Sequence, residues 1–281
     1  MKIYIDGGYY EKVDAAVSVF DHGLLYGDGV FEGIRIYNGK VFKLRAHIER
    51  LYQSAKAIYL EIPMSRDELE DAVLKTVEIN QKDNGYIRLI VTRGEGPLGI
   101  DPVQCKGPTV IIIVADIQLY PEEYYKKGIE IITASTRRIP SDCLDPRVKS
   151  LNYLNNILAK IEARQAGCQE AVMLNTQGFV AECTGDNIFI VKDGELLTPS
   201  PCHGALDGIT MRTVLELAES LGIRIRETTL TCYDLYNADE CFLTGTGAEI
   251  VPVVKIDGRV IGNGYPGKVT RLLTEEFRSL L

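Results

Sequence analysis

Residues 145–167 read DPRVKSLNYLNNILAKIEARQAG. Asp145-Pro146 favours an extended or turn conformation and disfavours a helix at that point. Ser150 and Asn152 follow Arg147, Val148 and Lys149, and either of them can cap a helix. From Leu154 the apolar residues recur as Leu154, Ile157, Leu158 and Ile161, one face of an α-helix. Gly167 stops that helix, with Arg164 in its last turn. Lys149 is thereby set on a short tether just before a helix. Taken alone, such a lysine is an ordinary solvated surface group. Its meaning has to come from the rest of the chain.

Working outward, the chain has 281 residues, enough for a large core and suggestive of two domains. A hydrophobic content of 46% with 25% charged residues is that of a soluble globular protein. The formal net charge of −8 argues against nucleic acid or an anionic membrane as the main partner. A locally basic pocket for an anionic small molecule is compatible with it. The seven cysteines (Cys105, Cys143, Cys168, Cys183, Cys202, Cys232, Cys241) are odd in number and never spaced C-x-x-C. They suggest neither a disulfide framework nor zinc, and the three histidines are too few for a typical metal cluster, so no metal is expected. Without a signal-peptide core or an apolar run of about 18 residues, the expectation is a cytoplasmic protein with reduced thiols.

The pattern predicts a small N-terminal α/β domain (residues 1–115), an interdomain loop (116–127) and a larger C-terminal α/β domain (128–281) carrying Lys149. In the first, short strands and tight turns fill residues 1–42, including HGLLYGDGVFEGIRIY at 22–37. Helices are expected near 43–58 and 65–82, the second opened by a Ser65/Glu68 capping box, and then strands at 86–93 and 109–116. The loop is placed where DIQLYPEEYYKK turns from apolar to polar around a proline. In the last part, strands are expected near 129–136, 170–175 and 187–192, then a helix near 209–221. Further strands lie near 223–229, 240–244 and 251–262, with hairpin signals at Asp193-Gly194 and Asp257-Gly258. A terminal helix opens with Pro266 in its first turn.

Several motifs carry chemistry. GEGPLG at 94–99 matches a dinucleotide fingerprint, but Pro102 interrupts the helix that motif requires, so it is rejected. LDGIT at 206–210 opens a helix, where Gly208 admits an anion and the N–H groups of Ile209 and Thr210 point outward, with a threonine hydroxyl beside them. TGTGAE at 244–249, with Gly245, Thr246 and Gly247, has the same character. Arg50 in HIERL can hold a phosphate with two donors. Glu182 in FVAECTGDNIFIV falls in an apolar strand, where an unpaired carboxylate is costly. Either a structural salt bridge or a protonated cofactor ring nitrogen would account for it. A lysine, an arginine, two phosphate-ready turns and a buried carboxylate are what pyridoxal 5'-phosphate requires.

The strings YGDGVFEGIRIY, HIERLYQSA, YIRLIVTRGEGPLGIDP, VKSLNYLNNILAKIEA, AECTGDNIF, LDGIT and TGTGAEIVPV resemble the class IV aminotransferases over almost the whole chain. These are two-domain α/β enzymes of PLP fold type IV. The resemblance implies that Lys149 bonds the cofactor, Glu182 holds its ring-nitrogen proton and Tyr153 meets its ring oxygen. It places the phosphate on Arg50, Ile209, Thr210 and Thr246, beside Gly208 and Gly245, with Leu206 against the ring. Where the family usually has G-I-T-R, this chain has Met211 and then Arg212.

Within the family, D-amino acid aminotransferases carry an R-x-H trap after T-R-G, and here Glu95-Gly96-Pro97-Leu98-Gly99-Ile100 stands in its place. They also tend to have Y-E-V where this chain has Phe31-Glu32-Gly33. F-E-G-I-R with Tyr86-Ile87-Arg88 resembles the branched-chain type. By that resemblance Phe31 and Tyr26 line an apolar pocket for valine, leucine or isoleucine. Tyr86, Thr246 and Gly247 hold the α-carboxylate, and Arg88, with Tyr26, receives the distal carboxylate of glutamate or 2-oxoglutarate. The implied reaction is transamination between branched-chain L-amino acids and 2-oxoglutarate, giving 2-oxo acids and L-glutamate, by a homodimer or higher assembly. D-amino acid transamination and aminodeoxychorismate lysis are the alternatives.

Overall fold

The computed structural model describes residues 1–117 and 120–281, and the expected loop therefore includes two residues, 118 and 119, outside the described set. The chain divides into two compact units, Met1–Ile117 with Val148–Asn152, and Gln118–Arg147 with Tyr153–Leu281. Lys149 thus falls with the N-terminal unit, not with the C-terminal part in which its position in the sequence places it.

The N-terminal unit begins with β1 (Lys2–Ile5) and β2 (Gly8–Glu11), then a short helix α1 (His22–Tyr26) where the sequence suggests only strands and turns. There follow β3 (Gly29–Tyr37), β4 (Lys40–Val41), α2 (Leu44–Ala57), α3 (Arg66–Asn80), β5 (Gly85–Thr92) and β6 (Thr109–Ala115). The strands form one sheet in the order β2-β1-β6-β5-β3-β4. Alternation divides β3 and β5 by face. Val30, Ile34, Ile36, Ile87, Leu89 and Val91 are fully buried and pack with Ile48 and Leu51 of α2 and Leu69 and Val73 of α3. Phe31, Gly33, Arg35, Tyr86 and Arg88 share the opposite face. The expected capping box opens α3: Ser65 Oγ accepts from the Glu68 N–H, and the Glu68 carboxylate accepts from the Ser65 N–H.

The C-terminal unit starts with α4 (Glu122–Lys127), so the expected loop contains a helical turn. Tyr120 lies in this unit's core, and Tyr124 and Tyr125 pack against it. Then come β7 (Ile129–Thr133), α5 (Leu154–Gln165), β8 (Glu170–Leu174), β9 (Val180–Cys183), β10 (Asn187–Lys192) and β11 (Glu195–Pro199). The remainder is α6 (Ile209–Ser220), β12 (Arg224–Thr228), α7 (Cys232–Tyr236), β13 (Glu240–Gly245), β14 (Glu249–Ile256), β15 (Arg259–Val260) and α8 (Lys268–Ser279). These strands form a second sheet, β12-β11-β10-β13-β14-β7-β8-β9, with β15 paired to β14. Both hairpin signals hold: Asp193-Gly194 and Asp257-Gly258 have φ of 49°/76° and 50°/76°, the left-handed pair that a two-residue turn needs.

Three local expectations change. Helix α5 is capped by neither Ser150 nor Asn152; Tyr153 is its N-cap, without a side-chain cap bond. Its periodic residues Leu154, Ile157, Leu158 and Ile161 are 46–67% exposed, while Asn156, Ala159 and Ala163 face inward. Periodicity located the apolar face correctly but not what covers it. Pro266 lies before Gly267, the N-cap of α8, and so outside the helix.

The centre of the second sheet holds Phe189 and Phe242 stacked at 4.9 Å and 9°, both fully buried. Phe242→Ala should lower the stability of the C-terminal unit by about 3–5 kcal/mol, read from urea unfolding. A loss below about 1 kcal/mol would show that the stack is not a packing centre.

Candidate active site

In the N-terminal unit, Lys149 is positioned through its backbone. The Lys149 carbonyl accepts from the Phe31 N–H of β3 at 3.0 Å, and the Lys149 N–H donates to Ser54 Oγ of α2 at 3.1 Å. A bridge between Val30 and Ser150 and a Leu151 N–H to Gly29 carbonyl bond extend the attachment to β3. The side chain lies with Nζ 4.7 Å from the centre of the Phe31 ring. Far from being a loose surface group, the lysine is held by a strand and a helix together.

That strand and helix are joined by charge. Glu32 falls on the core face of β3 among Val30, Ile34 and Ile36, and is fully buried. Its carboxylate accepts from Arg50 Nε and Nη2, each at 2.8 Å, and from His47 Nδ1 at 2.7 Å. Burial raises the pKa of Glu32, but the Arg50 guanidinium, followed by His47, outweighs it and holds the carboxyl well below its usual range. Burial lowers the pKa of His47 from 6.5 despite Glu32. Since an ionised Glu32 only accepts, His47 carries its proton on Nδ1, and its buried Nε2 has no partner among the described residues. A phosphate held by Arg50 would therefore meet a guanidinium whose Nε and Nη2 already donate to Glu32.

Phe31, Tyr86 and Arg88 form a second group on the other face of this sheet. The Arg88 guanidinium lies over the Phe31 ring at 4.6 Å and the Tyr86 ring at 5.5 Å. Tyr26 belongs to a different set of contacts: its ring is edge-on to His22, and its hydroxyl donates to the Leu98 carbonyl at 2.6 Å. The segment where D-amino acid aminotransferases carry R-x-H is here tied by Glu95 to Lys106 and by the His22 ring to the Pro97 carbonyl.

In the C-terminal unit, Glu182 stands on β9, 5% exposed. Its Oε1 pairs with Arg138 Nη2 at 2.7 Å and its Oε2 accepts from the Leu206 N–H at 2.9 Å. Arg138 is fixed in turn by the Gly204 carbonyl and Asn156 Oδ1. The salt bridge that is one account of a buried Glu182 is thus present, and it leaves the carboxylate charge-compensated. Gly208 is the N-cap of α6 and gives it no side-chain cap, so Ile209 and Thr210 open the helix. A Cβ on Gly208 would lie 2.0 Å from Asn187 Oδ1, and one on Gly245 would lie 2.0 Å from Asp186 Oδ1. Thr246, Gly247 and Ala248 form the turn between β13 and β14, and Thr244 Oγ1 beside it is buried without a partner among the described residues. Tyr153 heads α5. Met211 is buried, while Arg212, one helical step round, pairs with Asp207 and Glu227.

The uncapped α6 terminus, the glycine-lined turn and the orphaned Thr244 hydroxyl suit a phosphate, and Glu182 suits a ring-nitrogen proton. These donors fit pyridoxal 5'-phosphate.

Comparison with known proteins agrees with this chemistry. Residues 29–256 match the model of the family "Amino-transferase class IV". A putative branched-chain-amino-acid aminotransferase of Methanocaldococcus jannaschii is 54% identical over 280 residues, covering 100% of this chain and 96% of that protein. A D-alanine aminotransferase of Bacillus licheniformis is 39% identical over 271 residues, covering 96% and 94%. A branched-chain amino acid aminotransferase from Thermobaculum terrenum, solved in its PLP form, superposes with a TM-score of 0.91 at 32% identity, covering 99% and 93%. The fold and these residue groups define a fold-type IV aminotransferase scaffold. The chain belongs to the class IV aminotransferases.

Glu32, His47, Ser54 and Arg138 escaped the sequence reading. A signal existed for the first two: a lone carboxylate at period 2 among buried valine and isoleucine, facing a His/Arg pair three residues apart on a helix. Arg138 has no such local mark.

Both shifts carry a pH dependence of one sign. The unfolded chain takes up a proton at His47 below 6.5 and at Glu32 below 4.5, while the folded protein resists both. Stability should therefore be full above about pH 6.5 and fall as pH drops through 6.5 and again below 4.5. Glu32→Gln should cost about 3–5 kcal/mol by removing the buried charge that Arg50 and His47 face, and should flatten the lower limb in urea titrations. An unchanged profile would remove Glu32 from the account.

Proposed function

We propose that this protein transaminates branched-chain L-amino acids, passing the amino group to 2-oxoglutarate and giving 2-oxo acids and L-glutamate, with pyridoxal 5'-phosphate as cofactor. The observation that carries this reading is the cluster on β3 and β5. Arg88 lies across Phe31 and Tyr86, so one surface offers aromatic area to an aliphatic side chain and a cation to a distal carboxylate. The branched-chain enzyme names among its relatives support it. The D-alanine aminotransferase at 39% identity shows that overall similarity does not choose between substrates, and the choice rests on Phe31, Arg88 and the missing R-x-H.

Bound pyridoxal 5'-phosphate supplies an electron sink for the carbanion at the substrate Cα. The chain supplies everything else. Lys149 Nζ is the amine that would hold the cofactor and, when free of it, would move the proton at the substrate Cα. Glu182, compensated by Arg138, keeps the ring nitrogen protonated. Tyr153 would hold the ring oxygen, and Leu206 would lie against the ring. Arg50, Ile209, Thr210 and Thr246 would hold the phosphate, with Gly208 and Gly245 leaving room for it. Tyr86 with Thr246 and Gly247 orients the α-carboxylate, Phe31 and Tyr26 take the side chain, and Arg88 reads a second carboxylate.

A homodimer in the cytoplasm is part of the same proposal. The exposed stripe Leu154, Ile157, Leu158 and Ile161 on α5 is the kind of surface that a second copy covers. Light scattering should give at least twice the 31.2 kDa chain mass, and a monomer at micromolar concentration would contradict it.

With 2-oxoglutarate as acceptor, L-leucine should turn over faster than D-alanine, and the reverse order would overturn the assignment. Arg88→Ala should reduce activity with L-glutamate further than with L-leucine, by about 10-fold or more. Equal losses would mean that Arg88 does not read the distal carboxylate.

A further inference from the structure

Gly33 occupies the middle of β3, where a glycine weakens a strand and packs nothing. Its backbone does not require glycine, because Gly33 is absent from the positive-φ glycines of the chain. The reason is space. A Cβ built on Gly33 would lie 1.7 Å from the Tyr86 hydroxyl oxygen, 2.5 Å from Cζ and 3.2 Å from Cε2, with no other atom among its three nearest. Gly33 pairs with Arg88 across β3 and β5, and Tyr86 pairs with Arg35 one step along the same face. The Tyr86 ring therefore runs diagonally over β3, and its hydroxyl rests where a side chain at 33 would begin.

We propose that Gly33 is a positioning residue of the substrate site: its missing side chain is the seat of the Tyr86 hydroxyl. The inference rests on the reading of Tyr86 as a binder of the substrate α-carboxylate. Any larger residue at 33 drives the hydroxyl back by more than about 1 Å before an ordinary contact is reached, a displacement that disturbs substrate orientation. The Tyr86 ring that would have to shift is also one of the two rings under the Arg88 guanidinium. The F-E-G triplet thus works in alternation: Glu32 turns inward to hold α2, while Phe31 contributes a ring and Gly33 a gap on the substrate face.

The test is a double-mutant cycle in the holoenzyme, with L-leucine and 2-oxoglutarate as substrates. G33A should keep the cofactor absorbance of the wild type and raise KM for L-leucine about 10-fold or more, with a smaller change in kcat. Y86A should raise KM as well, and adding G33A to Y86A should change nothing further, because the ring that the Cβ displaces is gone. A wild-type KM in G33A beside a raised KM in Y86A would overturn the proposal. Equal losses from G33A in the presence and absence of the Tyr86 ring would also overturn it, by showing that Gly33 acts through the strand. A wild-type KM in Y86A would instead bring down the carboxylate reading of Tyr86, and the proposal with it. In that case the two positions would still couple in thermal stability.

Discussion

The attachment of the Lys149 backbone to two different elements is the constraint on which the chemistry proposed for this lysine depends. A reactive amine on a flexible four-carbon stem needs its base fixed. Here the carbonyl is tied to β3 through the Phe31 N–H and the amide to α2 through Ser54 Oγ. Neither anchor would mean much if strand and helix could slide. Glu32 prevents that by presenting one buried carboxylate to Arg50 and His47. An ion pair in this setting gains little net stability over well-packed apolar residues, but breaking it strands a buried charge. Its value is registry: it sets where α2 lies on the sheet, and hence where Ser54 and Arg50 lie.

Alternation gives β3 its two roles. Successive residues serve opposite faces, so Val30, Glu32 and Ile34 belong to the core and its charge clamp while Phe31 and Gly33 share the other face with Tyr86 and Arg88. A shift of one residue would exchange the two sets entirely. Eight consecutive pairings with β5, from Gly29–Thr92 to Ile36–Gly85, lock the register. In the C-terminal unit, Glu182 is prepared in a comparable way, gripped by Arg138 and the Leu206 N–H. A carboxylate so compensated can stay ionised in a buried place.

What could be read from the sequence follows from the range of the forces involved. The capping box at Ser65, the Asp193-Gly194 and Asp257-Gly258 hairpins and the α6 opening at Gly208 are local, decided within about four residues, and all are present. Lys149, Glu182 and Arg50 stand out together in the sequence because cofactor chemistry demands them as a set, whereas their partners Ser54, Arg138 and Glu32 do not. The pairing of Arg138 with Glu182 spans 44 positions in sequence and leaves no local trace. The capping of α5 failed for a related reason: Ser150 and Asn152 had the right chemistry, but their segment is bound to β3, and the helix begins only after it. Helical periodicity likewise identifies an apolar stripe without saying whether it meets the chain's own core, and on α5 it does not.

The central claim is that the lysine held by β3 and α2, and no other, carries the cofactor. Borohydride reduction of the holoenzyme followed by peptide mass mapping tests it most directly, because reduction fixes the cofactor to the amine it is bonded to. The account predicts a phosphopyridoxyl group on Lys149 in the wild type and on no lysine in K149A. Modification of another lysine in the native holoenzyme, or none at all, would contradict it.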